Sequence, residues 1–283
     1  MIEGVLFFDE ASILVDGFEA WGAVLGGSVR RSREALNVQV RRLKRAVKAR
    51  VLWRWAPLVP EDDFTACCRQ AINELKLRGS GRIIGDYLEF GVSRGTSLAC
   101  MHHALAAEQL GDVRLIGFDS FEGLPPEAAE EGGSMWEPGA YGSALGTTRT
   151  YLKRKGVDLR RVNLVKGWFK DTLTAQTRRA LKLEQASLIM VDCDIYSASR
   201  DALFFCEPLI GDVAVIFFDD WGWRSDIGEI GQKEAFDEFL AAFPELSATP
   251  LPAYLPQARV FLVTRGGAKH GEKRVTSAMA TPG

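Results

Sequence analysis

The sequence predicts an α/β domain with a doubly wound, mainly parallel sheet, preceded by an N-terminal helical extension. Three observations carry this. Short β-rich runs recur along the chain, separated by stretches long enough for a helix, which implies right-handed βαβ crossovers. One run, Val213 to Phe218 (VAVIFF), is apolar without alternation, as a strand covered on both faces must be. Acidic and glycine-containing segments follow the strand runs directly, at the carboxyl ends where such sheets collect ligands.

A chain of 283 residues, 47% hydrophobic and 25% charged, can bury one substantial core. A net charge of -2 gives no global electrostatic reason for a nucleic-acid partner. Cys67, Cys68, Cys100, Cys193 and Cys206 are odd in number and form no CxxC pair, so reduced, mostly buried thiols are expected. The opening MIEGVLFFDEASILVDG lacks a basic n-region and carries Glu3, Asp9 and Glu10, which is unlike a signal peptide. No apolar run approaches the roughly 18 to 20 residues that cross a bilayer. The expectation is a cytoplasmic protein without membrane contact.

Taken in order, residues 30 to 52 read as a helix, with Leu36, Val40, Leu43 and Val47 on one stripe. Ten basic residues between Arg30 and Arg54 face only Glu34. The modest Val and Leu stripe favours packing on the core or, in a homo-oligomer, on a second subunit, over adhesion to an acidic surface. Pro57 to Pro60 lead into the catalytic domain. The expected organisation is an extension over 1–60, a catalytic domain over 61–265 and a disordered tail over 266–283. Strands are expected at Asp86 to Phe90, Val113 to Phe118, Val162 to Lys166, Leu188 to Val191, Val213 to Phe218 and Val260 to Val263, with a helix over Leu98 to Gln109. The segment from Glu122 to Tyr141, rich in Gly, Pro and Glu, is long for a plain connection and reads as a lid or substrate wall.

The chemistry concentrates at four strand ends. Glu89-Phe90-Gly91-Val92-Ser93-Arg94-Gly95-Thr96 closes the first strand with two glycines that allow close approach of a ligand, then opens a helix at Thr96 and Ser97 whose free N–H groups suit a carboxylate. The spacing is not the GxGxxG dinucleotide fingerprint, and the preceding acid favours an amine-bearing ligand over a pyrophosphate. Asp119 ends the next strand, where a carboxylate can accept from both hydroxyls of a ribose. Farther on, Asp192 and Asp194 follow one apolar strand and Asp219 and Asp220 the next. If these strands are parallel neighbours, Asp192, Asp219 and Asp220 converge, and carboxylates crowded in a desolvated cleft must take up protons or bind a cation. Oxygen-only ligands favour magnesium, manganese or calcium, and such an ion lowers the pKa of a substrate hydroxyl. For Asp194 a local turn role is at least as natural.

EFGVSRGTS, IGFDSFEGLP, GAYGS, VKGWFKDTL, VDCDIYSASRDAL and IFFDDW occur in this order over roughly residues 84 to 240. Together they resemble the macrocin-type O-methyltransferases, which methylate sugar hydroxyls on natural products. The resemblance implies a class I methyltransferase (Rossmann-like) fold, S-adenosylmethionine as donor, magnesium as a required ion and a glycoside as the small-molecule acceptor. It places Glu89, Gly91 and Gly95 around the methionine part of the donor, Asp119 on the ribose, and Ser120 and Trp168 near the adenine. Asp192, Asp219 and Asp220 match the metal ligands, and Gly139 and Tyr141 the lid-like loop. Gln232 matches a stretch the family shares, without a role it assigns. Relatives acting on macrolide sugars have a histidine shortly before the last strand, whereas ATPLPAYLPQARVFLV here has none. His102 and His103 read as helix-surface residues and His270 falls in the tail, which leaves Asp194, Asp220 or a hydroxide on the metal to take the proton. Two rival readings remain at this point. One is a haloacid-dehalogenase-like phosphatase, with Asp192-Cys193-Asp194 as its DxD motif. The other is a non-catalytic scaffold that binds a partner through the basic helix.

Overall fold

In a computed structural model of the chain, the described residues are 56–78, 84–132, 137–221 and 231–266. The basic helix expected over 30–52 and the tail beyond Gly266 lie outside them. The compact unit containing the sheet begins at Pro57.

The first element, α1 (Glu61–Arg78), starts with Glu61, Asp62 and Asp63 and ends with Lys76 and Arg78, charges that complement the helix dipole at both ends. Phe64, Cys67, Cys68, Ala71, Ile72 and Leu75 recur at three- and four-residue steps and form its buried face. The chain continues through β1 (Asp86–Phe90), α2 (Thr96–Ala107), β2 (Leu115–Asp119), α3 (Ala128–Gly132), α4 (Leu145–Arg154), β3 (Val162–Lys166), α5 (Phe169–Thr172) and α6 (Ala175–Ala180). It ends through β4 (Ala186–Val191), α7 (Tyr196–Cys206), β5 (Val213–Phe218), α8 (Gln232–Ala242), β6 (Leu246–Leu251) and β7 (Arg259–Arg265).

The seven strands lie in the order β3-β2-β1-β4-β5-β7-β6. Those from β3 to β5 are parallel, whereas β7 is antiparallel to both β5 and β6. The chain winds outward from β1 to β3, crosses back to β4 beside β1, and winds outward again. The order therefore reverses between β1 and β4, and a crevice opens at their carboxyl ends. Interior strands β1 and β4 are buried along their whole length, and in β5 only Val213 is partly exposed, which is why these runs are apolar without alternation.

The final hairpin departs from the sequence reading. Val260 to Val263 does form a strand, but it runs antiparallel, and its partner β6 gave no strand signal because Pro250 sits inside it. Proline is tolerated there since β6 is an edge strand. All five cysteines are free and buried. No helix among the described residues is long and apolar enough to cross a membrane.

Candidate active site

A cleft of about 720 Å³ opens over the carboxyl ends of the parallel strands. Gly91, Ser93, Asp119, Ser120, Gly167 and Trp168 line it where β1, β2 and β3 end. Asp192, Asp194, Asp219 and Asp220 line it beyond β4 and β5. Leu58, Leu124, Pro125, Ala140, Tyr141, Ile195, Ala198 and Leu255 give the remaining wall its apolar character.

The β1 turn is built differently from the expectation. Glu89 is fully buried, accepting from the Tyr87 hydroxyl at 2.6 Å and from the Ser97 hydroxyl at 2.7 Å. Tyr87 and Glu89 share a face because they are two residues apart on a strand, and that face looks toward α2. Burial pushes the Glu89 carboxyl up to about 8, against the opposing pull of those two hydroxyls. Thr96 accepts from the Leu58 amide at 3.2 Å. Glu89, Gly95, Thr96 and Ser97 are not among the residues that line the cleft.

Gly91 is on the wall, yet the need for glycine comes from protein as well as ligand. Its φ is +87°, and a Cβ there would sit 1.6 Å from the carbonyl oxygen of Asp192. The missing side chain is what lets the tips of β1 and β4 close together. Ser93 and Phe121 also adopt left-handed backbone conformations. The Asp119 carboxylate accepts from the amides of Val92 at 2.8 Å, Ser93 at 2.7 Å and Phe121 at 2.5 Å. Burial raises its pKa and these amides oppose the rise. Three amides leave lone-pair capacity on a carboxylate, which has about four acceptor sites. Ser120 lines the cleft while donating to the Gly123 carbonyl at 2.9 Å. Trp168 is the N-cap of α5, directly after Gly167.

The acidic residues converge because β4 and β5 are parallel and in register, with Val191 opposite Phe218. One carboxylate oxygen from each of Asp192, Asp219 and Asp220 lies within 4.8 Å of the others. Asp192 is held well above the usual carboxylate range by burial, then by Asp219 and Asp220. Burial, then Asp194 and Asp219, do the same to Asp220. Asp219 is raised by burial against the pull of the Tyr254 hydroxyl. Asp194, with φ +62°, is pushed up to about 7 by burial and then by Asp219. Oδ2 of Asp220 is buried without a hydrogen-bond partner. Crowded, desolvated oxygen donors with an orphaned lone pair fit a hard divalent cation.

Two residues hold this cluster. Gln232, buried at the start of α8, accepts from the Asp220 amide at 3.0 Å and donates to the Val191 carbonyl at 3.1 Å, clamping the ends of β4 and β5. Tyr254, between β6 and β7, donates to Asp219 Oδ1 at 2.5 Å. The sequence marked Gln232 without a role, and it carried no signal for Tyr254.

The two described histidines, His102 and His103, stand apart from the cleft. His102 is buried rather than on the helix surface; its Nε2 accepts from the Asp158 amide at 3.1 Å, and burial lowers its pKa. His103 is exposed beside the Lys155 carbonyl, and His270 lies outside the described residues. In the segment from Glu122 to Tyr141 the two ends are tied together: the Leu124 amide donates to the Ala140 carbonyl at 3.0 Å and the Gly139 amide to the Leu124 carbonyl at 2.8 Å. Ser93 donates to the Tyr141 carbonyl at 2.8 Å, joining this segment to the β1 turn.

The fold is shared with solved methyltransferases. The O-methyltransferase NovP matches with a TM-score of 0.57 at 20% identity, over 72% of this chain and 80% of that one. The calicheamicin methyltransferase CalS11 gives 0.54 at 18%, over 70% and 77%. At these identities the likeness establishes a class I methyltransferase fold and nothing finer. Residues 62–240 match the family described as Macrocin-O-methyltransferase (TylF), and the chain belongs to that family.

Among curated proteins, the 8-demethyl-8-(2,3-dimethoxy-alpha-L-rhamnosyl)-tetracenomycin-C 4'-O-methyltransferase of Streptomyces olivaceus is 31% identical over 143 residues, 48% of this chain and 53% of that protein. The demethyldecarbamoylnovobiocin O-methyltransferase of Streptomyces niveus is 28% identical over 166 residues, 56% and 59% of the two chains. The mycinamicin III 3''-O-methyltransferase of Micromonospora griseorubida is 28% identical over 145 residues, 48% and 55%. The matches span little more than half the length of these relatives.

Proposed function

We propose that the chain is an S-adenosylmethionine-dependent, divalent-metal-assisted O-methyltransferase acting on a sugar hydroxyl of a glycosylated natural product. The observation that carries this reading is the convergence of Asp192, Asp219 and Asp220 in the same cleft as Gly91, Asp119 and Trp168, in a chain of this family. The phosphatase and scaffold readings gain no support from that family.

In the reaction the acceptor oxygen bonds to the methyl carbon as the methyl–sulfur bond breaks, and the hydroxyl proton passes to a base. A sulfonium becomes a neutral thioether. Asp119, fixed by three backbone amides, retains about one acceptor site for a ribose hydroxyl, and Ser120 and Trp168 line the same cleft for the adenine. Asp192, Asp219 and Asp220 would hold magnesium, whose bound charge lowers the pKa of a substrate hydroxyl. Asp194, on the cleft wall beside this cluster, is the residue assigned to take the proton. Placing both reactants in one cleft supplies the orientation on which a displacement depends.

The wall also bears on the acceptor. Among the described lining residues, Asp119, Glu127, Asp192, Asp194, Asp201, Asp219 and Asp220 face a single cation, Lys170. The apolar wall of Leu124, Pro125, Ile195 and Leu255 suits the aglycone.

Asp219→Ala tests the reading. It is expected to abolish methyl transfer to a glycoside while S-adenosylmethionine still binds by calorimetry. Full magnesium-dependent turnover in that variant would remove the metal from the account.

A further inference from the structure

Tyr254 belongs to none of the motifs that mark the cleft. It sits in the connection between β6 and β7, 7% exposed, and its hydroxyl donates to Oδ1 of Asp219 at 2.5 Å. Packing places that hydroxyl. The ring meets Phe64 of α1 edge-on, with centroids 4.5 Å apart at 83°. Phe64 in turn packs against Phe217 of β5 at 5.9 Å, two residues before Asp219. Cys67, one helical turn after Phe64, donates from Sγ to the Pro252 carbonyl at 3.5 Å, tying the same connection to α1.

We propose that Tyr254 is a positioning residue for the cation site, fixing the orientation in which the Asp219 carboxylate meets Asp192 and Asp220. The proposal rests on the reading that these three aspartates hold a divalent cation. The physical need is specific. Three carboxylates crowded together in a partly desolvated cleft repel one another, and an unrestrained Asp219 would relieve the repulsion by turning away. A lysine or arginine could hold it, but its charge would compete with the cation. A neutral hydroxyl donor holds one oxygen and leaves the carboxylate's charge and remaining lone pairs for the ion. Hydrogen bonds of this outer kind contribute about 10- to 100-fold to metal affinity.

The test uses the full chain and manganese(II) as the probe, with binding followed by electron paramagnetic resonance. Tyr254→Phe keeps the ring and removes only the hydroxyl. It is expected to weaken manganese binding about 10- to 100-fold, with S-adenosylmethionine affinity by calorimetry little changed. Equal manganese affinity in Tyr254→Phe and wild type overturns the proposal. Wild-type protein that binds no manganese at all sinks the cation reading itself, a distinct outcome.

Discussion

Replacing Glu89 by glutamine should remove one pH-dependent contribution to stability. Glu89 is fully buried, and its carboxyl is pushed from the ordinary 4.5 to about 8, chiefly by desolvation. In the unfolded chain the same group ionises near 4.5. Between those two values the folded state holds a proton that the unfolded state has released, so stability falls as pH rises through the window and levels off above it. At roughly 1.4 kcal/mol per pH unit, the full span corresponds to about 5 kcal/mol. Glutamine has nearly the same shape, its amide can donate to one of the two hydroxyls of Tyr87 and Ser97, and its carbonyl can accept from the other. Urea unfolding of both proteins from pH 5 to pH 9, without donor, provides the assay. The difference between the curves cancels the titration of the aspartate cluster. Near pH 5 the two should be similar; by pH 8.5 the variant should be the more stable by several kcal/mol. Each kcal/mol is worth about 2–4 °C of melting temperature for a domain of this size. Parallel curves, with a difference that does not vary with pH, would refute the assignment of a protonated, buried Glu89.

Two further outcomes follow from the same geometry. Gly91→Ala would place a Cβ 1.6 Å from the Asp192 carbonyl oxygen in a left-handed conformation, and backbone must move to relieve it. The conformation alone costs about 1–2 kcal/mol, so the variant should unfold well below wild type in urea and lose metal-dependent activity even where it folds. Gln232→Leu strands the Asp220 amide in the interior and leaves the Val191 carbonyl only the Asp219 amide at 3.4 Å. At about 1–3 kcal/mol for a stranded group, unfolding should show a loss of that order, and kcat should fall with little change in donor affinity; an undiminished kcat would show that the clamp does not set the position of Asp220.

The interior strands were legible because burial on both faces leaves an unbroken apolar run, as in VAVIFF. The acidic cluster was legible because Asp192, Asp219 and Asp220 follow two such runs directly, and parallel register levels their tips. β6 was not legible, since Pro250 is a breaker by local rules and only its place at the sheet edge permits it. The direction of β7 was equally hidden: an apolar run does not say which way it is traversed. Glu89 shows the limit most plainly. Its position at a strand end suggested a ligand contact, but the parity of the strand turned it toward α2, where Tyr87 and Ser97 take both its oxygens.

What the amino-acid order determined by itself was the periodic part of the molecule: which runs are strands, which residues end them, and hence the chemistry gathered at one edge. Those follow from local patterning and from the rule that ligands collect where strand order reverses. Only the tertiary structure decided which of those residues face the cleft and which brace it. It also supplied Tyr254 and Gln232, whose contacts join Asp219 to a connection 35 residues later and Asp220 to a helix 12 residues later. A hydrogen bond between distant segments leaves no period in the sequence, because its partners are brought together by the packing of everything between them.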